Sequence, residues 1–170
     1  MMQESFIFAG TIMDNIRYGK PDATDEEVKK AAEAVYADKF ISKLKNGYNT
    51  VVEEKGAGLS TGERQLLSFA RTILADPAIL ILDEATSSID TKTEKLIQKA
   101  LERLLAGRTS FIIAHRLSTI KKADRIMYVA NKTITEEGSH EELMKRKGEY
   151  FELYRSQFSF INEAFIDICQ

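Results

Sequence analysis

A short apolar run, Ala78–Leu82, ends abruptly on two carboxylates, Asp83 and Glu84, and a second such run, Thr109–Ala114, ends on His115. Between them Leu96, Ile97, Ala100, Leu101, Leu104 and Leu105 recur at helical spacing, with Asp90 placed to cap the segment and Gly107 to close it. Apolar runs this short, without alternation, are expected of strands covered on both faces. Strand, helix, strand in that order predicts a parallel α/β sheet after Asp76.

The chain before Asp76 reads as helical. Thr11–Tyr18 sets Ile12 and Ile16 four apart and stops at Gly19-Lys20-Pro21. Thr24-Asp25-Glu26-Glu27 has the form of a capping box, ahead of Val28, Ala31, Ala32 and Val35 on one face. A short helix is expected over Asp38–Leu44, a turn at Asn46–Asn49 and a charged, glycine-containing loop over Val51–Gly58. Ser60-Thr61-Gly62-Glu63 is a second capping box, opening a helix with Leu66, Leu67, Ala70, Ile73 and Leu74 inward. Beyond the sheet, Leu117–Ala123 reads as a short helix. Arg125–Ala130 and Lys132–Glu136 read as strands around a turn at Asn131. Ser139–Glu142 opens another capped helix, and Glu149–Ser156 forms a last one. Phe158, Ile161, Phe165 and Ile168 give residues 157–170 the spacing of an amphipathic helix.

Hydrophobic residues make up 44% of the 170 and charged ones 29%, which suits a folded domain with a real core. A net charge of −2 gives no electrostatic case for nucleic acid. Cys169 is the one cysteine, so an internal disulfide and a thiolate metal cluster are both excluded. The apolar run that ends at Asp83 falls far short of the ~20 residues that span a bilayer, and no signal peptide is expected.

Three places could carry chemistry. Ser60, Thr61 and Gly62 stand at a helix start, where unpaired amides and a partial positive charge attract phosphate. The same residues also serve simple capping. Asp83 and Glu84 follow a buried strand and so fall at the carboxyl edge of the sheet, where open α/β folds bind ligands. Asp83 suits Mg²⁺ and Glu84 suits polarising a water; a helix cap or a surface turn is the plain alternative. His115 takes the same strand-end position, and there a structural histidine is the common outcome. His140, in a capping segment, is expected to be structural. No phosphate-cradling G-x-x-x-x-G-K-[ST] occurs in the 170 residues.

Taken in order, these residues resemble the nucleotide-binding domain of ATP-binding cassette (ABC) transporters of exporter type. Gln3–Ile12 is similar to the Q-loop and Thr50–Gly56 to the exporter X-loop, with Glu53 where that loop usually has glycine. Leu59-Ser60-Thr61-Gly62-Glu63 resembles the LSGGQ signature, departing from it at Thr61 and Glu63. Ser87-Ser88-Ile89-Asp90 looks like the D-loop, Asp83 matches the Walker B aspartate, Glu84 the catalytic base and His115 the switch histidine.

The resemblance implies a partial P-loop NTPase (RecA-like) parallel sheet with an α-helical signature subdomain. Residues 1–75 would form the Q-loop and helical subdomain, 76–156 the carboxyl-terminal part of the RecA-like core, and 157–170 a tail. ATP and Mg²⁺ are the implied cofactors. Gln3 and Asp83 would serve the metal, and Glu84, His115 and Gln3 the attacking water. Ser60, Thr61, Gly62 and Glu63 would face ATP held by a second nucleotide-binding domain, with Ser87 and Asp90 communicating across the dimer. The implied partners are that second domain and the transmembrane domain of an exporter, which puts the chain at the cytoplasmic face of the cell membrane.

The family's Walker A strand and loop lie upstream of the Q-loop, and their removal should leave a gap or an unsatisfied edge in the sheet. Two functions are therefore expected. The chain is the carboxyl-terminal portion of an exporter ATPase subunit, inactive alone, or it is a non-catalytic interaction module or truncated gene product. A soluble DNA-repair or translation ATPase of the same superfamily fits less well, because the Q-loop and X-loop have exporter form.

Overall fold

The computed structural model describes residues 6–83, 91–114 and 117–156. Their contacts divide the chain into two compact units, Met1–Ile112 and Ile113–Gln170.

In the first unit β1 (Gly10–Thr11) leads directly into α1 (Ile12–Arg17) and pairs antiparallel with β2 (Val51–Val52), Gly10 opposite Val52. A strand thus lies inside the segment expected to be loop. Thr11 caps α1: its hydroxyl accepts from the Asp14 amide at 3.0 Å. Thr24 caps α2 (Asp25–Ala34) in the expected way, with Glu27 reaching back to the Thr24 amide at 2.7 Å. After α3 (Asp38–Ile41) comes α4 (Thr61–Ala75), the axis of the unit. Ile12, Ile16, Val28, Val35, Ile41, Leu66 and Leu67 form one continuous core around it. The same cluster continues into Leu80 of β3 (Ile79–Asp83) and into Ile97, Ala100, Leu101 and Leu104 of α5 (Thr91–Leu105).

β3 and β4 (Thr109–Ile113) are hydrogen-bonded neighbours joined through α5, the helical crossover that parallel strands require. The fold class is mixed α/β, with a short parallel sheet beside a helical layer. One expectation fails here: the strands are covered on one face only. Leu80 is 4% exposed, but Ile79 and Ile81 are 60% and 59% exposed and Phe111 is 51% exposed. Side chains alternate across a strand, so the Leu80 side meets α4 and α5 residues, while among the described residues no layer covers the odd-numbered side chains.

In the second unit α6 (Leu117–Ile120) precedes a hairpin of β5 (Ile126–Ala130) and β6 (Thr133–Gly138). Asn131 and Lys132 turn it with φ of 51° and 63°, the left-handed geometry that matches strand twist. Ser139 caps α7 (His140–Arg146), and residues 149–156 are helical. Ile126, Leu143 and Tyr150 form a small core. His140 is structural, as expected: its Nδ1 shares a 2.7 Å hydrogen bond with the Tyr150 hydroxyl. Among the described residues no helix is long and apolar enough to cross a membrane. The tail, residues 157–170, lies outside the described residues.

One-sided burial of β3 predicts unequal costs for neighbouring substitutions. Leu80→Ala should cost about 2–5 kcal/mol in chemical denaturation of the 170-residue chain. Ile81→Thr should stay within about 0.5 kcal/mol. Equal losses at the two positions would contradict the exposed face.

Candidate functional site

The start of α4 gathers four of the candidate residues on one turn. Ser60 is its N-cap, in extended backbone conformation. The Ser60 hydroxyl accepts from the Glu63 amide at 3.3 Å. In return Glu63 Oε2 accepts from the Ser60 amide at 2.8 Å and from its hydroxyl at 2.9 Å. The N–H groups of Thr61 and Gly62 have no protein acceptor among the described residues, as expected of the first amides of a helix.

Arg64, which the sequence analysis did not single out, secures this turn. Its Nη1 donates to the Leu59 carbonyl at 2.6 Å and its Nη2 to the Thr61 hydroxyl at 3.0 Å. The preceding loop closes on the same side chain. A Cβ at Gly56, where φ is +71°, would lie 2.9 Å from Arg64 Cδ, so a larger residue there would displace the arginine. The Thr61 side chain therefore has a partner in place of the space a glycine would leave.

Gly62 has a different reason to be glycine than ligand approach alone. It is buried, and a Cβ on it would meet Thr93 Cγ2 of α5 at 2.3 Å and Ile97 Cδ1 at 3.5 Å. The bare Cα lets the first turn of α4 seat on the first turn of α5. No sequence signal pointed to Thr93, because the contact joins two helices separated by a strand.

This contact predicts that Gly62→Ala costs about 1–3 kcal/mol through overpacking. Thr93→Ser removes the obstructing methyl and should restore most of that loss in urea unfolding of the double variant. A Gly62→Ala loss indifferent to Thr93→Ser would contradict the packing role.

Asp83 ends β3 and is partly exposed. A single carboxylate at a strand end fits Mg²⁺, a hard cation usually held by one or two carboxylates together with substrate phosphates. Among the described residues no group of three or more His, Cys, Asp or Glu converges as a metal cage. Gln3, Glu84, Ser87, Asp90 and His115 lie outside the described residues.

A second constellation ties the first segment of the chain to α4. Arg71 donates from Nε to the Asn15 carbonyl at 2.9 Å, from Nη1 to the Phe6 carbonyl at 3.0 Å and from Nη2 to Asn15 Oδ1 at 3.2 Å. Its guanidinium lies over the rings of Phe8 and Tyr18, and burial lowers its pKa from the ordinary value. The segment that follows Gln3 is thereby fixed to the helix that Ser60 begins.

Known proteins resemble this chain over most of its length. The family model for the ABC transporter matches residues 1–87. An ABC transporter ATP-binding protein of Bacillus subtilis, YknV, is 59% identical over 94% of this chain and 26% of its own length. An ATP-dependent lipid A-core flippase of Desulfotalea psychrophila is 56% identical over 91% of this chain and 27% of its own length. A solved structure of a bacterial Atm1-family ABC exporter with ATP bound superposes with a TM-score of 0.82 at 42% identity, over 91% of this chain and 27% of that one. The chain spans about a quarter of the length of these relatives. With the signature-like helix start, the Asp83 strand end and these similarities together, the chain belongs to the ABC transporter family.

Proposed function

We propose that this chain is the carboxyl-terminal portion of the ATP-binding, ATP-hydrolysing subunit of an ABC exporter, coupling ATP binding and hydrolysis to transmembrane transport. The observation that carries this reading is the start of α4. There Ser60, Thr61, Gly62 and Glu63 share one turn, with two amides left without protein acceptors among the described residues. Such a turn suits an anion of the phosphate kind. Family membership supports that anion being the γ-phosphate of ATP held by a second nucleotide-binding domain, identical or homologous.

In this reading Asp83 and Gln3 hold Mg²⁺, which supplies charge neutralisation at the phosphates. Glu84 accepts a proton from the attacking water, while Gln3 and His115 orient that water against the γ-phosphate. Ser87 and Asp90 report the state of one site to the other. Thr50–Gly56 meets the transmembrane domain, which places the chain at the cytoplasmic face of the membrane. The subdomains divide as 1–75 and 76–156, followed by the tail.

The 170 residues contain no phosphate-cradling loop of the Walker A kind. We therefore expect the chain by itself to bind ATP weakly and not to turn it over. The second reading, a non-catalytic interaction module or truncated gene product, rests on that same observation.

Steady-state ATP turnover separates the two. A longer product that includes a Walker A region should hydrolyse ATP, and Glu84→Gln should lower kcat by about 100-fold or more. The 170-residue chain should show no turnover. A longer product that neither binds nor hydrolyses ATP would contradict the exporter reading. Turnover by the short chain, abolished by Glu84→Gln, would contradict its inactivity.

A further inference from the structure

We infer that Arg71 is a positioning residue for ATP hydrolysis: its hold on the Phe6 and Asn15 carbonyls and on the Asn15 amide oxygen fixes the point from which Gln3 reaches the metal and the attacking water. The inference rests on the proposed reading in which Gln3 serves Mg²⁺ and that water.

Residues 6–8 belong to no helix or strand, so their backbone groups must find partners outside any regular ladder. Each residue has one. The Phe6 carbonyl accepts from Arg71 Nη1 at 3.0 Å, and the Ile7 carbonyl accepts from the Lys55 amide at 3.0 Å. The Phe8 amide donates to Asn15 Oδ1 at 3.0 Å, and its carbonyl accepts from Asn15 Nδ2 at 2.9 Å. The Ile7 side chain is fully buried. Of these partners only Arg71 belongs to α4, and it holds the described residue nearest to Gln3 in the chain. Three residues span at most about 10 Å, so an anchor at Phe6 bounds where Gln3 can go.

The anchor is built for orientation. Among the described residues Arg71 has no carboxylate partner. Its guanidinium lies 5.4 Å from the Phe8 ring and 5.5 Å from the Tyr18 ring. An apolar side chain would fill this half-buried place with no charge to desolvate, and such replacements are often neutral or stabilising. What it could not supply is the planar fork, which joins two backbone carbonyls and an amide oxygen in one fixed geometry. The backbone of Arg71 is held too. A Cβ at Gly19 would lie 2.2 Å from the Arg71 carbonyl oxygen, so the chain leaving α1 closes directly on it. Ser60 caps the same helix, roughly 16 Å away along its axis. The helix that presents the signature-like turn thus also carries the anchor for Gln3.

The test is steady-state ATP turnover by the longer product that includes a Walker A region, with kcat counted per ATP-binding site and the KM for ATP measured alongside. Arg71→Lys keeps the charge and loses the fork. It should lower kcat about tenfold or more, the scale of a small misplacement at the chemistry, and leave KM within about twofold. In a Gln3→Ala background Arg71→Lys should lower kcat no further, because it acts through Gln3. Arg71→Gln leaves no buried charge and gives the same reading should the lysine variant not fold. An unchanged kcat, or a loss confined to KM, overturns the inference. So does an equal fall in kcat with and without Gln3→Ala, the mark of a merely structural role. If Gln3→Ala alone leaves kcat unchanged, the proposed role of Gln3 falls, and this inference with it.

Discussion

A buried amide, Asn15, organises the first unit. At 2% exposure it has no access to water, and an unpaired polar group there would be costly. Every one of its side-chain groups is engaged. Nδ2 donates to the carbonyls of Phe8 and Thr11, and Oδ1 accepts from the Phe8 amide and from Arg71. Arg71 then reaches past it to the Asn15 and Phe6 carbonyls. A fully satisfied polar knot of this kind holds one arrangement of its members, because partial satisfaction costs more than none. Here it fixes the segment after Gln3 against the middle of α4.

The rest of the unit is arranged along that same helix. Arg71 holds the incoming segment, Arg64 holds the loop that precedes the helix, and Gly62 admits Thr93 of α5. The first turn of α4 is thus set by contacts on several sides before any ligand arrives. That rigidity gives the proposed nucleotide contact its physical sense: two amides and a serine are presented in a fixed frame. Helix α5 begins at Thr91, so the Gly62–Thr93 contact ties the signature-like turn to the first turn of α5.

Much of this was legible in the sequence. The boxes at Thr24, Ser60 and Ser139 form as their residue types require, since a hydroxyl and a carboxylate three apart satisfy each other's neighbouring amides. The hairpin turns at Asn131. The strands were legible in position but not in burial, because an apolar run reports what a strand can bury and not which layers cover it. Arg64, Arg71 and Thr93 were missed because each acts on something a linear pattern does not show: a carbonyl, a buried amide, a glycine two elements away. Asp83 falls at the end of β3, at the strand terminus where the apolar run placed it, and its metal role stays with the proposal. Gln3, Glu84, Ser87, Asp90 and His115 lie outside the described residues, and their roles stay with the proposal.

The central claim is that the Ser60–Gly62 turn faces a nucleotide held by another domain. Amide resonances of the ¹⁵N-labelled chain, recorded with an unlabelled, intact ABC nucleotide-binding domain and Mn²⁺-ATP, test it most directly. The account predicts that the Thr61 and Gly62 amides broaden through their proximity to the paramagnetic nucleotide complex, and that they stay sharp when diamagnetic Mg²⁺ replaces Mn²⁺. Complex formation that leaves the Thr61 and Gly62 amides unbroadened would contradict it.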